Sequence, residues 1–405
     1  MHIRTCQICG GSRLVKVLDL GKMPAANAFL TKAELQKTEE KFPLRVYFCK
    51  TCSSLQLLDI VNPKILFRHY TYLTSASKPL ISHFEEMGKE LAKRFVTDKN
   101  DLVVEIGGND GILLSAIADK CRTINIEPAA NIAKISAQKG ITTISKFFDR
   151  TLARELVKKY GRAKVVVANN VMAHIFGLKD VFCGVADLIG EDGVFVFEVH
   201  WVGNLLGEGG FDQVYHEHLF YHSLTALTYL ARAVGLRIID VQPVHMHGQS
   251  MRVFAAKNMP VKASVKRFLD KEKNMGLDKA ATYLKFSRKV EQEKKELLSL
   301  LKKLKKEGKT IVGYGAPAKG NILLNYFGID GKTLDYVTDT TPLKQGKYTP
   351  GMHILVSDPE RLTTETPDYV LLLAWNYRDA ILEKEKSLRK KGVKFIIPVN
   401  GIQIV

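Results

Sequence analysis

Four ionisable side chains follow one another in one short stretch of the sequence: Tyr215, His216, Glu217 and His218. Histidine and tyrosine can act as general acids or bases near neutral pH, and a glutamate can orient or tune a histidine. Because neighbouring side chains on a strand or a helix do not all face one direction, we expect two of the four to point inward. Two histidines are too few to hold a metal ion, so the pattern favours acid–base chemistry over a metal site or an ordinary polar surface.

A glycine-rich turn in residues 101–112, with the sequence DLVVEIGGNDGI, stands between a predicted buried strand and a predicted helix. Glycines allow the backbone to pass close to a ligand, and the first turn of a helix offers unpaired N–H groups. A dinucleotide-binding turn requires glycine or alanine at the position of Asp110, whose carboxylate would repel a pyrophosphate. A cationic or zwitterionic ligand such as S-adenosylmethionine suits this turn better.

An acidic residue, Glu127, ends the next predicted strand, where a carboxylate can accept hydrogen bonds from both hydroxyl groups of a ribose. An ordinary turn with a solvated aspartate is the alternative, but Glu105, the glycines and Glu127 fall in register for a cofactor site. The predicted cofactor-binding residues, which share one edge of the sheet, are Glu105, Gly107, Asn109, Asp110, Gly111, Glu127, Asn169 and Asn170.

Polar residues also stand where two later predicted strands end. Asn169, Asn170 and His174 follow one strand, and Glu198 and His200 end the next. In open α/β sheets, the ligand lies beyond the carboxyl ends of the strands. A single histidine beside an apolar strand is more often a satisfied core residue, but several at one edge favour a functional site.

A second strand–turn–helix unit begins at residue 310, and its residues Gly313, Gly315 and Ala318 match the dinucleotide-binding fingerprint with alanine in the last place. Asp339 lies at a suitable distance downstream to meet a ribose. The match is a weak indication of an NAD-binding site. It is equally compatible with a site that binds the nucleotide end of an activated substrate. Both units together predict an α/β fold with a central doubly wound Rossmann-like domain and a smaller Rossmann-like C-terminal domain.

Four of the six cysteines form two close pairs, Cys6 with Cys9 and Cys49 with Cys52. Two such knuckles brought together provide four thiolates in the tetrahedral arrangement that zinc prefers. The alternatives are disulfides, which a reducing compartment disfavours, and unrelated buried cysteines. We therefore predict a structural zinc site in an N-terminal module, with no open position for chemistry.

The 405-residue chain is long enough for two or three domains, and its 46% hydrophobic and 25% charged residues are typical of globular proteins. The net charge of +18 suggests a nucleic-acid partner. However, the densest basic part, residues 302–309, has leucines at helical spacing and is better explained as a solvated helix face. No run of 18 apolar residues and no signal-peptide core are found, so we expect no membrane association and a cytoplasmic location.

Two further stretches allow more than one interpretation. Residues 70–77, with the sequence YTYLTSAS, are either a linker or a flap over a site, and Tyr72 would be the main contributor of such a flap. Residues 245–253 join two strand-like runs, and a glycine hairpin with a polar tip that includes His247 explains them simply.

The zinc knuckles, the S-adenosylmethionine turn, the Tyr-His-Glu-His cluster and the C-terminal sequence GYGAPAKGN occur in that order. This order resembles the sugar C-methyltransferases of deoxysugar biosynthesis, which act on nucleotide-linked 4-keto sugars, and the resemblance covers nearly the whole chain. It implies a zinc-binding domain in residues 1–68, an S-adenosylmethionine-binding methyltransferase domain in 69–259, and a C-terminal α/β domain in 260–405 that helps to bind the sugar nucleotide. At residue 249 this chain has glutamine where the family usually has glycine.

The resemblance also implies roles for individual residues. His218 corresponds to the catalytic base, and the other implied catalytic residues are Glu217, Tyr215 and His174. Tyr72 is added to the predicted catalytic residues as the contributor of a flap over the site. Tyr215 or His174 would donate a hydrogen bond to the oxygen of the developing enolate. The implied substrate-binding residues are His200, His247, Tyr314, Ala316, Lys319, Asn321, Asp339 and Lys344.

These features together predict an enzyme that removes the proton next to the ketone of a nucleotide-linked 4-keto deoxysugar and methylates the resulting enolate carbon from S-adenosylmethionine. Epimerisation or O-methylation of the same sugars is the alternative within this class, and a zinc-knuckle nucleic-acid-binding protein is the alternative from another class. An NAD-linked oxidoreductase rests only on residues 313–318. We expect no nucleic-acid or membrane partner, and a monomer or a weak homodimer.

Overall fold

The computed structural model describes residues 1–62, 73–244 and 250–405. Within them the chain forms three β-sheets, of four, seven and six strands. The two larger sheets are mainly parallel and alternate with helices, which confirms the predicted α/β class with two Rossmann-like units. Tyr72 and His247, both predicted site residues, lie outside the described residues.

The N-terminal sheet is antiparallel and takes its last strand from a distant part of the chain. Its strands are β1 (Leu14–Met23), β2 (Phe42–Cys49), β3 (Leu55–Leu57) and β9 (Phe220–Tyr221). They lie in the order β1–β2–β3–β9. Alternate residues of β2, namely Leu44, Val46 and Phe48, are buried, as expected for a sheet with one face on a core.

The middle sheet has seven strands in the order β10–β11–β8–β7–β4–β5–β6. Their bounds are β4 (Leu102–Ile106), β5 (Arg122–Ile126), β6 (Thr142–Ile144), β7 (Ala163–Asn169), β8 (Ile189–His200), β10 (Arg237–Val244) and β11 (Ser250–Ala256). Only β11 runs antiparallel to its neighbours. Alternate residues of β4 enter two separate core clusters, so this strand is buried on both faces of the sheet.

Helices cover the middle sheet. They are α1 (Lys78–Phe95), α2 (Ile112–Ser115), α3 (Ala130–Gln138), α4 (Arg150–Tyr160), α5 (Leu178–Leu188), α6 (Val202–Gly207), α7 (Leu224–Arg232) and α8 (Ala263–Met275). The apolar stripe of α1, formed by Leu80, Phe84, Met87 and Leu91, is buried, as its helical spacing requires. Helix α8 packs against β10 and α7 of this unit, although it follows residue 260.

The C-terminal sheet has six strands in the order β14–β13–β12–β15–β16–β17, all parallel except the last. The strands are β12 (Ile311–Tyr314), β13 (Val337–Thr338), β14 (Val356–Ser357), β15 (Tyr369–Leu372), β16 (Lys394–Ile397) and β17 (Gln403–Ile404). The helices of this region are α9 (Ala280–Lys306), α10 (Ala318–Phe327), α11 (Arg361–Glu365), α12 (Arg378–Lys384) and α13 (Lys386–Lys390).

The lysine-rich helix α9 packs against β1 through one apolar face. Leu297, Leu301 and Leu304 are buried, whereas Lys302 and Lys303 are exposed. The basic part of the chain is therefore a solvated helix face, as the leucine spacing predicts. In the described part of the chain, no helix combines the length and the apolar character needed to cross a membrane.

The N-terminal region also contacts the C-terminal unit directly. Leu30 and Tyr348 form an antiparallel bridge, with N···O distances of 3.0 and 2.8 Å. The side-chain amide of Asn321 on α10 donates to the carbonyl of Ala26 at 2.8 Å. The first 62 residues therefore contact both of the larger units: the middle unit supplies β9 to the N-terminal sheet, and the C-terminal unit is reached through these contacts.

A buried carboxylate, that of Glu272, fixes α8 to the middle unit. It is fully buried and accepts hydrogen bonds from the Trp201 indole at 2.7 Å and from the backbone N–H groups of Leu224 and Thr225 at 2.6 and 2.8 Å. Leu224 and Thr225 begin α7, and the N-terminus of a helix favours a negative charge because its N–H groups are unpaired. Glu272 therefore joins two helices and a tryptophan through one side chain.

We expect Glu272→Ala to lower the free energy of unfolding by about 2–4 kcal/mol, because several buried donors would lose their acceptor together. Urea unfolding followed by circular dichroism measures this loss. The control is Asp270→Ala on the same helix, where an exposed carboxylate pairs with Lys266 and the expected loss is below about 0.5 kcal/mol. Equal losses in the two variants would contradict the role given to Glu272.

Candidate active site

The turn after β4 needs left-handed backbone conformations at three positions. The φ angle is +67° at Gly107, +51° at Asn109 and +78° at Gly111. A side chain at Gly108 would have its Cβ 2.5 Å from Oδ1 of Asn125, which no real Cβ contact allows. The turn is therefore a bare backbone cradle at the carboxyl end of the central strand.

Three acidic residues surround this cradle. Burial, and then the charges of Asp110 and Glu127, raise the pKa of Glu105 to about 8. Asp110 is fully buried and pairs with Lys139 at 3.3 Å, a partner that its position in the sequence does not indicate. Glu127 accepts a hydrogen bond from the backbone N–H of Asn109 at 3.1 Å, and burial raises its pKa. Its carboxylate oxygens keep lone pairs that can accept from ribose hydroxyls.

Two asparagines stand beside the cradle at the end of β7. Both side-chain polar atoms of Asn169 and Oδ1 of Asn170 are buried, and they have no hydrogen-bond partner among the described residues. Oε2 of Glu105 is also buried and has no hydrogen-bond partner among the described residues. Buried polar atoms of this kind need partners, and a ligand rich in hydroxyl, amino and carboxylate groups provides them. S-adenosylmethionine fits this donor and acceptor set and the open cradle.

The loop after β7 connects the cradle to the Tyr-His-Glu-His segment. Val171 fills the space in front of Gly107, where a Cβ would lie 2.5 Å from the valine side chain. Three residues later the same loop carries His174, and the carbonyl of Ala173 accepts from the N–H of Leu219 at 2.7 Å. The cofactor turn and the acid–base segment are therefore in contact with one short loop.

Tyr215 and His218 form a hydrogen-bonded pair. The tyrosine hydroxyl lies 2.7 Å from Nε2 of His218, and Nδ1 of the same ring lies 3.2 Å from the carbonyl of Gln213. A carbonyl can only accept, so Nδ1 carries the proton and Nε2 accepts from the tyrosine. Burial, and then the rings of His174 and His200, hold the pKa of His218 well below its usual value.

Three predicted histidines meet at this point. The rings of His174 and His200 lie 4.8 and 5.8 Å from that of His218, measured between centroids. Nδ1 of His174 lies 2.8 Å from the carbonyl of Glu217, so it also donates, and burial lowers the pKa of His174. The structure thus brings together side chains from the β7 loop, the end of β8 and the Tyr-His-Glu-His segment.

The other two members of the segment contact the N-terminal region. His216 is buried against the N-terminal region, with Nε2 3.2 Å from the carbonyl of Phe42. The carboxylate of Glu217 accepts a hydrogen bond from the side-chain amide of Asn27 at 2.8 Å. Among the described contacts of the Glu217 side chain there is no histidine, so the expectation that it orients or tunes one is not supported.

A buried lysine of the C-terminal unit, Lys319, reaches towards the middle unit. Its ammonium group lies 4.0 Å from the centre of the Trp375 ring and has no hydrogen-bond partner among the described residues. Burial lowers the pKa of Lys319 to about 8, against the opposing effect of Asp212 and Glu208. Asp212 accepts from the Trp375 indole at 2.6 Å, and burial raises its pKa to about 6.

Asp339, the acidic residue of the C-terminal fingerprint, makes its contacts within its own turn. It accepts from the backbone N–H groups of Ala316 and Thr341 at 2.7 and 2.8 Å and pairs with Lys344 at 3.3 Å. In a dinucleotide-binding fold this carboxylate faces the ribose. The contacts of Asp339 thus explain the fingerprint as a closed structural turn, and they do not support the NAD interpretation.

Two more predicted substrate residues hold neighbouring parts of the chain. The hydroxyl of Tyr314 donates to Glu385 at 2.7 Å, and the amide of Asn321 donates to the carbonyl of Ala26. Oδ1 of Asn321 is buried without a partner in the described residues. Of these two residues, only Asn321 keeps a polar atom for a further contact.

The four paired cysteines come together as predicted. Their sulfur atoms all lie within 4.8 Å of one another, and the Cys6–Cys52 and Cys9–Cys49 separations are both 3.6 Å. These separations are close to the ~3.8 Å between two thiolates of a tetrahedral zinc site. The amide of Gln56 donates to the Cys6 sulfur at 3.0 Å and supports it from β3. The set fits a closed structural zinc site.

Sequence reasoning missed Asn27, Asp212 and Gln213 as contributors to the site. Asp212 and Gln213 stand just before Tyr215, and their closeness to the cluster was an available signal. Asn27 is 190 residues from its partner Glu217, and no local pattern marks it. Such pairs depend on how distant segments fold together, which spacing along one chain does not reveal.

We expect Gly108→Ala to weaken S-adenosylmethionine binding at least about tenfold, because the added Cβ would displace Asn125 or the turn itself. Isothermal titration calorimetry measures the affinity. The control is Gly331→Ala, where the added Cβ has no heavy atom within 4 Å. Wild-type affinity in Gly108→Ala would rule out this turn as the cofactor cradle.

We expect Cys49→Ser to lose bound zinc and to destabilise the N-terminal sheet, because three thiolates hold the metal less tightly than four. Metal analysis by mass spectrometry, together with thermal unfolding, measures both effects. Cys183→Ser is the matched control, since that half-buried cysteine lies outside the cluster. An unchanged zinc content in Cys49→Ser would refute the four-cysteine site.

Three family models match the chain in succession. They describe a zinc binding domain in residues 6–67, a methyltransferase domain in 81–241 and a C-methyltransferase C-terminal domain in 245–400. The C-methyltransferase NovU of Streptomyces niveus is 34% identical over 407 residues, which cover 100% of this chain and 97% of that protein.

Two solved structures are weakly similar to part of the chain. Magnesium protoporphyrin IX methyltransferase from Synechocystis PCC 6803, with bound S-adenosylmethionine, is 11% identical and has a TM-score of 0.33, covering 46% of this chain and 85% of its own. An S-adenosylmethionine-dependent methyltransferase from Clostridium acetobutylicum is 14% identical with a TM-score of 0.35, covering 48% and 96%. These likenesses are weak, and no inference about function rests on them. The full-length match to the Streptomyces protein is sufficient: the chain belongs to the S-adenosylmethionine-dependent C-methyltransferases with a zinc-binding N-terminal module.

Proposed function

We propose that the protein methylates the carbon next to the ketone of a nucleotide-linked 4-keto deoxysugar, acting in the cytoplasm as a monomer or a weak homodimer. The observation that carries the proposal is the buried, hydrogen-bonded pair of Tyr215 and His218. The loop after β7 contacts both the segment that contains this pair and the cofactor turn. A carbon beside a ketone becomes acidic when a base and a donor for the enolate oxygen are both in place.

His218 supplies the base in this proposal. Its pKa lies well below the usual value because of burial, so the imidazole is neutral near pH 7 and Nε2 has a lone pair. The carbonyl of Gln213 fixes Nδ1–H and thereby the tautomer. When the tyrosine hydroxyl turns from Nε2 to the ketone oxygen, Nε2 is free to take the proton from the adjacent carbon.

Tyr215 supplies the donor for the enolate oxygen. The sequence left Tyr215 and His174 as alternatives for this role. Because the proton on His174 lies on Nδ1 and is directed to the carbonyl of Glu217, the neutral ring has no proton on Nε2 to donate. Burial lowers the pKa of His174 and so disfavours the doubly protonated form. These contacts favour the tyrosine.

S-adenosylmethionine supplies a methyl group on a sulfonium centre, which an enolate carbon can attack. The turn at residues 107–111 would hold the cofactor by its backbone, and Glu127 would accept from the ribose hydroxyls. The side-chain amide of Asn169 and Oδ1 of Asn170, which have no hydrogen-bond partner among the described residues, would bind its remaining polar groups. A cofactor held in this way fixes the direction from which the enolate carbon attacks the methyl group. Such orientation of the reacting groups is one way in which binding energy lowers the activation barrier.

The C-terminal unit offers a cation for the nucleotide part of the substrate. Lys319 is buried without a hydrogen-bond partner in the described residues, and a pKa of about 8 leaves it mostly protonated at neutral pH. A diphosphate would accept hydrogen bonds from this ammonium group. The overall charge of +18 would favour the approach of such a substrate.

The proposed function is tested by incubating the protein with S-adenosylmethionine and a panel of nucleotide-linked 4-keto sugars in heavy water, followed by mass spectrometry. A gain of one methyl group with release of S-adenosylhomocysteine would support methyl transfer, and fragmentation would locate it on carbon. Deuterium uptake without methylation would instead indicate epimerisation. If neither methylation nor deuterium uptake occurs, and the protein binds nucleic acid with an affinity that falls steeply with salt concentration, the proposal is wrong and the protein is a nucleic-acid-binding protein.

We expect His218→Ala to reduce turnover by about 10²–10⁴-fold, because the step then lacks its base. The affinity for S-adenosylmethionine, measured by calorimetry, should remain within about twofold. His353→Ala is the control, since that half-exposed histidine pairs with Glu39 outside the histidine cluster. A His218→Ala enzyme with most of its activity would show that another group removes the proton.

A further inference from the structure

One segment of the N-terminal region, residues 24–30, passes between the other two units. It leaves the end of β1 and has its first three residues buried. The carbonyl of Ala26 accepts from Asn321 of the C-terminal unit at 2.8 Å. Four residues on, Leu30 pairs with Tyr348 of the same unit. We call this segment the strap; its backbone is fixed on both sides of residue 27.

Between those two anchors, the strap directs one polar side chain into the active site. Nδ2 of Asn27 donates to Oε1 of Glu217 at 2.8 Å. No other hydrogen bond or ion pair of the Glu217 side chain is found within the described residues. Glu217 stands next to His218 in sequence, and its own carbonyl accepts from His174. The position of this carboxylate is therefore set by a residue of the first domain.

The chemical type of residue 27 matters. An amide is a neutral donor, so it orients a carboxylate without cancelling its charge, as a lysine or an arginine would. One hydrogen bond to Oε1 leaves Oε2 of Glu217 for a substrate hydroxyl or a proton. Asn27 itself is exposed, which places the pair at the open side of the site.

We propose that Asn27 is a positioning residue of the active site, which fixes the orientation of the Glu217 carboxylate beside the hydrogen-bonded pair of Tyr215 and His218. This inference rests on the proposed function, because it takes that pair as the place of reaction. It further follows that the alignment of Glu217 depends on the seating of the strap on the C-terminal unit, the same unit that would bind the nucleotide.

The direction of the effect follows from the groups near Glu217. The titratable side chains on its own segment and on the adjoining β7 loop are Tyr215, His216, His218 and His174, and the strap has none. Burial raises the pKa of Glu217, and the hydrogen bond from Asn27 lowers it. Loss of that bond raises the pKa further, so the carboxylate becomes protonated at a higher pH and the activity that needs it is lost at a higher pH.

The test compares Asn27→Ala, Asn27→Asp and Asn27→Gln with the wild type. We expect Asn27→Ala to lower kcat at least about tenfold and to move the acid limb of the kcat/KM profile upward by about half a pH unit or more. Asn27→Asp should move it further, because a second carboxylate repels the first, and Asn27→Gln should restore part of the rate. The affinity for S-adenosylmethionine and the melting temperature should stay unchanged.

The matched control is Asn258→Ala, which removes the same kind of amide–carboxylate bond, to Glu191 at 2.7 Å, from an exposed site away from the histidine cluster. It should leave every kinetic parameter unchanged. A wild-type pH profile and kcat in Asn27→Ala, with an active wild-type enzyme, would overturn this inference and leave the proposed function intact.

If the wild type turns over no sugar, the proposed function fails, and a direct titration still tests the role of Asn27. Carbon-13 NMR of labelled glutamate carboxyls, assigned through Glu217→Gln, gives the pKa of Glu217 in the wild type and in Asn27→Ala. A higher pKa in the variant would support the positioning bond, and identical titrations would refute it.

Discussion

The loop after β7 is the constraint on which the rest of the site depends. Val171 of this loop occupies the space that a side chain at Gly107 of the cofactor turn would need. The carbonyl of Ala173 accepts a hydrogen bond from the backbone N–H of Leu219, the residue after His218. A loop packed on both sides couples the position of one site to that of the other. The lack of a side chain at residue 107 is thus a packing requirement as well as a conformational one.

Burial then determines the protonation of the groups that this loop brings together. His218 and His174 both donate through Nδ1 to carbonyl oxygens, so each neutral ring presents an unprotonated Nε2. On the cofactor side, the pKa of Glu105 is raised to about 8 by burial and by neighbouring acids. The two halves therefore differ: one offers neutral bases, and the other offers acids and amides suited to a positively charged ligand.

Local patterns predicted much of this arrangement. The cysteine spacing, the apolar strands and the glycine turn each depend on residues within a few positions of one another, and the structure brings them together as expected. Lys139 beside Asp110 and Asn27 beside Glu217 could not be predicted in this way, because each pair joins separate elements whose approach depends on tertiary packing. In the C-terminal fingerprint the spacing matches the motif, and the carboxylate of Asp339 accepts hydrogen bonds within its own turn, which the spacing does not reveal.

The position of β9 in the N-terminal sheet also has a consequence for synthesis of the chain. β3 is complete at residue 57, but its partner strand is not made until residue 221, after most of the middle unit. During translation the nascent first domain therefore carries an unpaired strand edge, which is the type of surface that promotes association between chains. Closure of that edge is therefore one of the late steps in the folding of the newly made chain.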